Sequence, residues 1–136
     1  MTLKEMLVRH EGLMLKPYKD SVGKLTIGVG RNLDDVGLSE QEALYLLKND
    51  IDKAIDHAKA FPWYEELNDA RKMAVVDMIF NMGVAGFSKF KKTIKHISRG
   101  EYDAAGVEML DSKWAKQVGS RAIRVSELMR SGIVRD

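Results

Sequence analysis

The first apolar residues of the chain recur at the spacing of one helix face. Leu3 and Leu7 are four residues apart, so they share a stripe of that helix. Thr2 and Glu5 form a capping box, in which a Ser or Thr precedes a Glu by three residues. The pattern therefore predicts a short amphipathic helix over residues 2–11.

A β-hairpin is predicted next, because polar and apolar residues alternate on either side of a turn. With Gly23 at the tip of that turn, the register places Asp20 directly opposite Thr26, about 5 Å apart at Cβ on one face. Leu25 and Ile27 point to the other face, which we expect to be the packed one.

Longer helical patterns follow the hairpin. A second capping box, Ser39 to Glu42, opens an apolar stripe that runs to about Lys59, long enough to join a small lobe to a large one. Asn68 is a candidate N-cap for a helix that Gly83 ends. Apolar residues lie on nearly every face of that helix, which is typical of a buried one.

After Gly83, a loop is predicted over residues 84–88, and three helices are predicted beyond it. Helices are expected at about 89–98, 102–110 and 121–129, the last capped by Ser120. The fold class is α+β and mainly α-helical. We expect a single domain composed of a small lobe (about 12–38), an interlobe helix (about 39–60) and a helical lobe (about 61–136 with the N-terminal helix 2–11).

Composition fits one ordinary domain of 136 residues, 45% of them hydrophobic. The chain has no cysteine, which excludes disulfides and thiolate metal sites. We expect no membrane insertion and no secretory signal, because the apolar runs are short and the N-terminus lacks a basic-then-apolar pattern.

Net charge is +3 over residues 1–33, −6 over 34–87 and +5 over 88–136. Basic ends are compatible with an anionic polymer as substrate.

Two carboxylates, those of Glu11 and Asp20, are the candidate catalytic groups. Glu11 is predicted at the C-terminus of the first helix, on its apolar stripe, and both the helix dipole and apolar packing favour a protonated carboxyl there. That state suits a general acid. Asp20 is the second carboxylate, and the hydroxyl of Thr26 is expected beside it.

The stretch EGLMLKPYKDSVGKLTIGVG, from Glu11 to Gly30, resembles the signature of the phage-type lysozymes, the endolysins of glycoside hydrolase family 24. FNMG at 80–83, VAGF at 84–87 and KWAKQ…RAIRV near the C-terminus are further landmarks of this family. The resemblance implies a lysozyme-like fold and an inverting muramidase that hydrolyses the β-1,4 bond between N-acetylmuramic acid and N-acetylglucosamine. No metal and no cofactor are required for this reaction.

The resemblance also implies a role for each site residue. Glu11 is the general acid, Asp20 activates or supports the attacking water, and Thr26 holds that water by a hydrogen bond. Arg121 matches a family arginine that packs against the catalytic Glu, and we expect it to orient that side chain. The expected substrate contacts are Gly30, Asn32, Phe80 and Asn81.

The chain departs from the family pattern at three places. His10 precedes the acid where relatives often have a carboxylate or an aromatic residue, and Arg31 stands where His is common. The link over residues 31–38 is shorter than in larger members. These departures leave the expected chemistry unchanged but put the number of sugar subsites in doubt.

Three other functions compete with this interpretation. A lytic transglycosylase forms an anhydro product without water, and needs neither Asp20 nor Thr26. A non-catalytic wall-binding module would not need the carboxylate pair. A nucleic-acid binder is suggested by the basic residues from Lys89 to Arg99, but no recognition-helix pattern accompanies them and the net charge is modest.

The expected partner is the peptidoglycan glycan strand, and no nucleic acid. We expect a monomer that stays in the host bacterial cytoplasm until release and then acts on the cell wall from the periplasm. The family resemblance implies a membrane-permeabilising holin as the partner that opens this route.

Overall fold

The computed structural model describes residues 1–135. The chain is mainly helical, with 64% of residues in helices, and carries a small three-stranded antiparallel sheet. The predicted fold class, a mainly helical lysozyme-like α+β fold, is therefore confirmed. The chain divides into two compact units, an N-terminal unit Met1–Leu46 and a C-terminal unit Leu47–Asp136. The boundary falls within one helix, and the placement of helix 2–11 in the helical lobe stays a prediction.

The N-terminal unit begins with helix α1, Leu3–Glu11. Its sheet has the order β1–β2–β3, formed by Met14–Lys19, Leu25–Gly28 and Arg31–Asn32. The third strand was not predicted, because the sequence places it in the short link after the hairpin. The Thr2 hydroxyl accepts a hydrogen bond from the Glu5 amide at 3.1 Å, which confirms the first predicted cap.

Helix α2 spans Glu40–Lys59. The Ser39 hydroxyl accepts from the Glu42 amide at 3.1 Å, and Glu42 Oε1 accepts from the Ser39 amide at 2.9 Å. Two amides at the helix start thus gain partners from a reciprocal pair of side chains. The second predicted capping box is confirmed.

The C-terminal unit continues with a 3-10 helix, Tyr64–Glu66, and then helices only. They are α3 (Asp69–Ser88), α4 (Lys91–Ser98), α5 (Tyr102–Leu110), α6 (Lys113–Val118) and α7 (Ser120–Ser131). Helix α5 packs against α4, α6 and α7, and α3 packs against α7. The bounds of α5 match the prediction, whereas α6 was not predicted. The cap of α7 is Gly119 and not Ser120.

Helix α3 bends at Gly83, whose φ of 78° and ψ of 162° are not helical. Glycine adopts such angles without a Cβ clash, so the predicted interruption is confirmed. The predicted loop over 84–88 is wrong, because helical structure resumes after the bend and runs to Ser88. The Ser88 hydroxyl donates to the Val84 carbonyl at 2.7 Å within that turn.

The buried apolar side chains of residues 1–135 all lie between Ala54 and Met129, which places them in the C-terminal unit. Met78 and Phe87 of α3 are fully buried, whereas Met73 and Phe80 are 49% and 43% exposed. The prediction that α3 is buried on every face is therefore wrong for one side of the helix.

No single helix of the described residues is long and apolar enough to cross a membrane. Helices α3 and α4 reach that length and apolarity only when they are counted together, and they are bent by 102° relative to each other.

Truncating Phe87 to Ala is expected to lower the free energy of unfolding by about 3–5 kcal/mol. Phe87 is fully buried and its ring meets Phe61 edge-on at 5.4 Å, so the variant leaves a cavity among aromatic rings. Phe80→Ala, on the exposed side of the same helix, serves as the matched control. Urea titration measures both, and equal losses would contradict the burial difference.

Candidate active site

Glu11 is the last residue of α1, and its side chain is exposed. The carboxylate lies against the backbone of Gly30, where a β-carbon built on the glycine would be 2.7 Å from Glu11 Oε2. The two predicted site residues are thus brought together within the N-terminal unit. The expectation that Glu11 lies on a packed apolar face is wrong, because α1 has no buried residue.

Asp20 organises the turn between β1 and β2. Its Oδ1 accepts from the Val22 amide at 3.0 Å and from the Lys24 amide at 2.8 Å. The Asp20 amide in turn donates to the Lys24 carbonyl at 2.9 Å. Within residues 1–135, Oδ2 of this carboxylate has no hydrogen-bond partner. The turn therefore orients the carboxylate through one oxygen and leaves the other available.

The predicted hairpin register is wrong. Tyr18, and not Asp20, lies opposite Thr26, and Lys19 lies opposite Leu25. The cause is the tight turn closed by Asp20 and Lys24, which is centred one residue earlier than a turn centred on Gly23. The shift is two positions along the partner strand, so Tyr18 and Thr26 still share a face.

Thr26 is 3% exposed and is the most buried residue of β2, whereas Leu25 and Ile27 are half-buried. The expectation that the Leu25 face is the packed one is therefore wrong. The Thr26 hydroxyl donates to the Lys24 carbonyl at 2.8 Å, so its oxygen keeps acceptor capacity. Asn32 lies opposite Thr26 on β3.

Asn32 belongs to a tight polar turn. Its Oδ1 accepts from the Asp35 amide at 2.9 Å, and its Nδ2 donates to Asp35 Oδ2 at 2.9 Å. Both ends of the amide thus have partners within the small sheet and the turn that follows it. A role for Asn32 in substrate binding stays a prediction.

The other predicted contacts lie in the C-terminal unit. Asn81 accepts a hydrogen bond from Trp114 Nε1 at 2.8 Å, a partner that the sequence did not indicate. Arg121 donates from Nε to Asp77 Oδ1 at 2.9 Å. Phe80 lines a cavity of about 460 Å³ together with the Arg121–Asp77 pair. Roles for Phe80 and Asn81 in substrate binding, and for Arg121 in orienting Glu11, stay predictions.

Sequence reasoning missed one interaction of Arg31, the residue that follows Gly30. Arg31 donates to both carboxylate oxygens of Glu42, at 2.8 and 2.6 Å, and to the Gly37 carbonyl at 3.0 Å. Glu42 was recognised only as a member of a capping box, and no periodic pattern predicts a contact between a residue of β3 and a residue of α2. The departure from the family pattern at Arg31 was the only available signal.

Replacing Gly30 by Ala is expected to reduce kcat by about 10²-fold, the cost of a misplaced reacting group. The new methyl group would overlap the Glu11 carboxyl, which is the flexible end of an exposed side chain and so moves away. The positive φ of 69° at Gly30 adds a stability loss of about 1–2 kcal/mol.

Gly100→Ala is the control for this prediction, because Gly100 has a φ of 72° and no atom within 4 Å of the added carbon. Its stability should fall similarly while kcat per folded molecule stays unchanged. Equal kcat values in the two variants, measured at a temperature where both are folded, would contradict the contact with Glu11.

Most glycoside hydrolases use a pair of Asp or Glu residues, and Glu11 at the end of α1 and Asp20 directly after β1 are candidates for such a pair. The sequence matches the phage lysozyme family over residues 8–131. The chain belongs to this family and is a lysozyme hydrolase, which acts on peptidoglycan.

Relatives with similar sequences support this assignment. The protein named "Probable T4-type lysozyme 2" of Dictyostelium discoideum is 29% identical in an alignment that covers 99% of this chain and 97% of the relative. The pre-baseplate central spike protein Gp5 of Enterobacteria phage T4 is 33% identical and covers 97% of this chain, which corresponds to 28% of Gp5. The SAR-endolysin of Escherichia phage Mu is 31% identical over 87% of this chain and 68% of its own length.

Proposed function

We propose that this protein is an endolysin muramidase that hydrolyses the β-1,4 bond between N-acetylmuramic acid and N-acetylglucosamine with inversion of configuration. The observation that carries the proposal is the exposed Glu11 carboxylate against the Gly30 backbone, in the same compact unit as the Asp20 carboxylate. Inverting hydrolysis requires two carboxyl groups about 6.5–9.5 Å apart, with space for a water molecule.

Glu11 is the general acid in this proposal. It protonates the glycosidic oxygen of the leaving sugar, because its side chain is exposed at the end of α1 and free to meet a polymeric substrate. Gly30 offers no side chain at this point, so the sugar chain can approach the carboxyl closely. A bulkier residue would occupy that space.

Asp20 is the base that activates the attacking water. Two backbone amides hold its Oδ1, which fixes the direction of the carboxylate before substrate binds. The free Oδ2 then accepts a proton from water as the water attacks the anomeric carbon.

Thr26 positions the water as a hydrogen-bond acceptor. Its own proton is directed to the Lys24 carbonyl, so the lone pairs of its oxygen face away from that bond and can accept from water. Because Thr26 is buried and lies within a strand, its position varies little.

For the biological role we propose lysis of a bacterial host. Two relatives named endolysin and SAR-endolysin support a role in lysis. In this proposal the protein is a monomer that stays in the cytoplasm until a holin opens the inner membrane. It then reaches the wall from the periplasm.

The test combines turbidity, mass spectrometry and NMR. Chloroform-treated Gram-negative cells should clear with the wild-type protein, and the products should end in reducing muramic acid. NMR during the first turnovers should detect the α-anomer, the inverted configuration of a β bond. A β-anomer would refute inversion, and anhydro-muramic products would identify a lytic transglycosylase instead. Absence of clearing by folded protein would favour a non-catalytic wall-binding module.

A further inference from the structure

Gly30, which lies against the Glu11 carboxylate, is anchored on its C-terminal side by Arg31. The backbone of Arg31 pairs with Ile27 across β2 and β3. Its guanidinium donates to the Gly37 carbonyl and to both oxygens of Glu42. One residue thus joins the turn that touches the candidate acid to the first turn of α2.

Glu42 is itself held in place by the start of α2. Its Oε1 accepts from the Ser39 amide, and its own amide donates to the Ser39 hydroxyl. The two-oxygen contact with Arg31 is the geometry that a planar guanidinium and a carboxylate favour. The helix start, the ion pair and the Gly30 backbone therefore form a continuous chain of contacts within the N-terminal unit.

We infer that the Arg31–Glu42 pair is a positioning device for catalysis, which holds the Gly30 backbone against Glu11 and thereby sets the direction of the acid's carboxyl group. The inference rests on the proposed function, since it concerns the orientation of the proposed general acid. Neither Arg31 nor Glu42 touches the reacting atoms in this proposal.

The charge state of the pair suits such a role. The Arg31 guanidinium and the Ser39 hydrogen bonds lower the pKa of Glu42 to about 2, and Glu42 raises the pKa of Arg31. Both groups are therefore charged at every pH at which a lysozyme is assayed. In the wild type, the pair adds no pH dependence of its own to the rate.

A histidine in place of Arg31 makes the positioning depend on pH, and this gives the test. An imidazole has an ordinary pKa of about 6.5, and it carries the positive charge that attracts Glu42 only while it is protonated. We therefore measure kcat and KM of Arg31→His relative to wild type between pH 5 and 9.

The expected ratio of kcat values is highest at pH 5–6 and falls about tenfold towards pH 9, while KM changes little. Glu42→Gln keeps the oxygen that accepts from Ser39 but loses the charge, and should show a lower kcat at every pH. Lys72→Gln is the control, because it breaks the Lys72–Glu65 ion pair of the C-terminal unit, which the proposed mechanism does not use. Its ratio should stay near one.

A kcat ratio for Arg31→His that is constant from pH 5 to 9 overturns the inference, as does an equal loss in Lys72→Gln. Circular dichroism confirms that each variant is folded at the assay temperature. Glu11→Gln is measured in parallel. Activity retained in Glu11→Gln overturns the proposed acid and this inference with it, whereas an inactive Glu11→Gln with a constant ratio overturns the positioning role alone.

Discussion

Replacing Glu11 by Gln is expected to reduce hydrolysis of peptidoglycan by about 10²–10⁴-fold, the usual contribution of a general acid. The amide cannot donate the proton that the leaving oxygen needs. Stability should change by less than about 0.5 kcal/mol, because Glu11 is exposed and surface substitutions away from special features have small effects. Wall clearing and thermal unfolding of the same preparation measure the two quantities.

Glu5→Gln is the matched control for this experiment. Glu5 is an exposed glutamate in the first turn of the same helix, and its backbone amide, not its side chain, bonds to Thr2. We expect nearly wild-type activity from this variant. If Glu11→Gln retained more than a tenth of wild-type activity, another group would have to be the acid.

Replacing Asp20 by Asn is expected to reduce hydrolysis by about 10²-fold or more, because an amide cannot accept a proton from the attacking water. The variant keeps an oxygen at the Oδ1 position, so the hydrogen bonds from the Val22 and Lys24 amides remain. The free energy of unfolding should therefore stay close to that of the wild type. Activity and urea unfolding separate the two roles of this residue.

Asp20→Ala is the contrasting variant, because it removes both hydrogen bonds as well as the charge. Each lost bond should cost about 0.5–1.5 kcal/mol of stability. An active Asp20→Asn would argue for a reaction without a base, such as transglycosylation. Identical stability of the Asn and Ala variants would mean that the turn does not need the side chain.

Local patterns predicted much of the fold. The capping residues Thr2 and Ser39 start helices where expected, and Gly83 interrupts α3. These features depend on a few neighbouring residues, so a sequence carries nearly all of the information that sets them. Glu11 at the end of α1 and Asp20 beside the turn were located for the same reason.

The pairing of strands was less predictable. The register of the hairpin depends on how Asp20 closes its turn, and several turns fit the same alternation of residues. The third strand has only two residues, too few for a periodic pattern. The exposure of Phe80 was missed because the sequence pattern of a helix is the same whether or not a neighbouring element covers an apolar residue.

The sequence by itself determined the family, the helical framework and the identity of the two candidate carboxylates, since these follow from motif spacing and from interactions between residues close in the chain. Only the tertiary structure decided that Gly30 lies against Glu11, that Tyr18 faces Thr26 and that Arg31 pairs with Glu42. Each of these contacts joins different helices, strands or turns of the N-terminal unit. Their partners are set by how the turns bring those elements together, which no periodicity along the chain specifies.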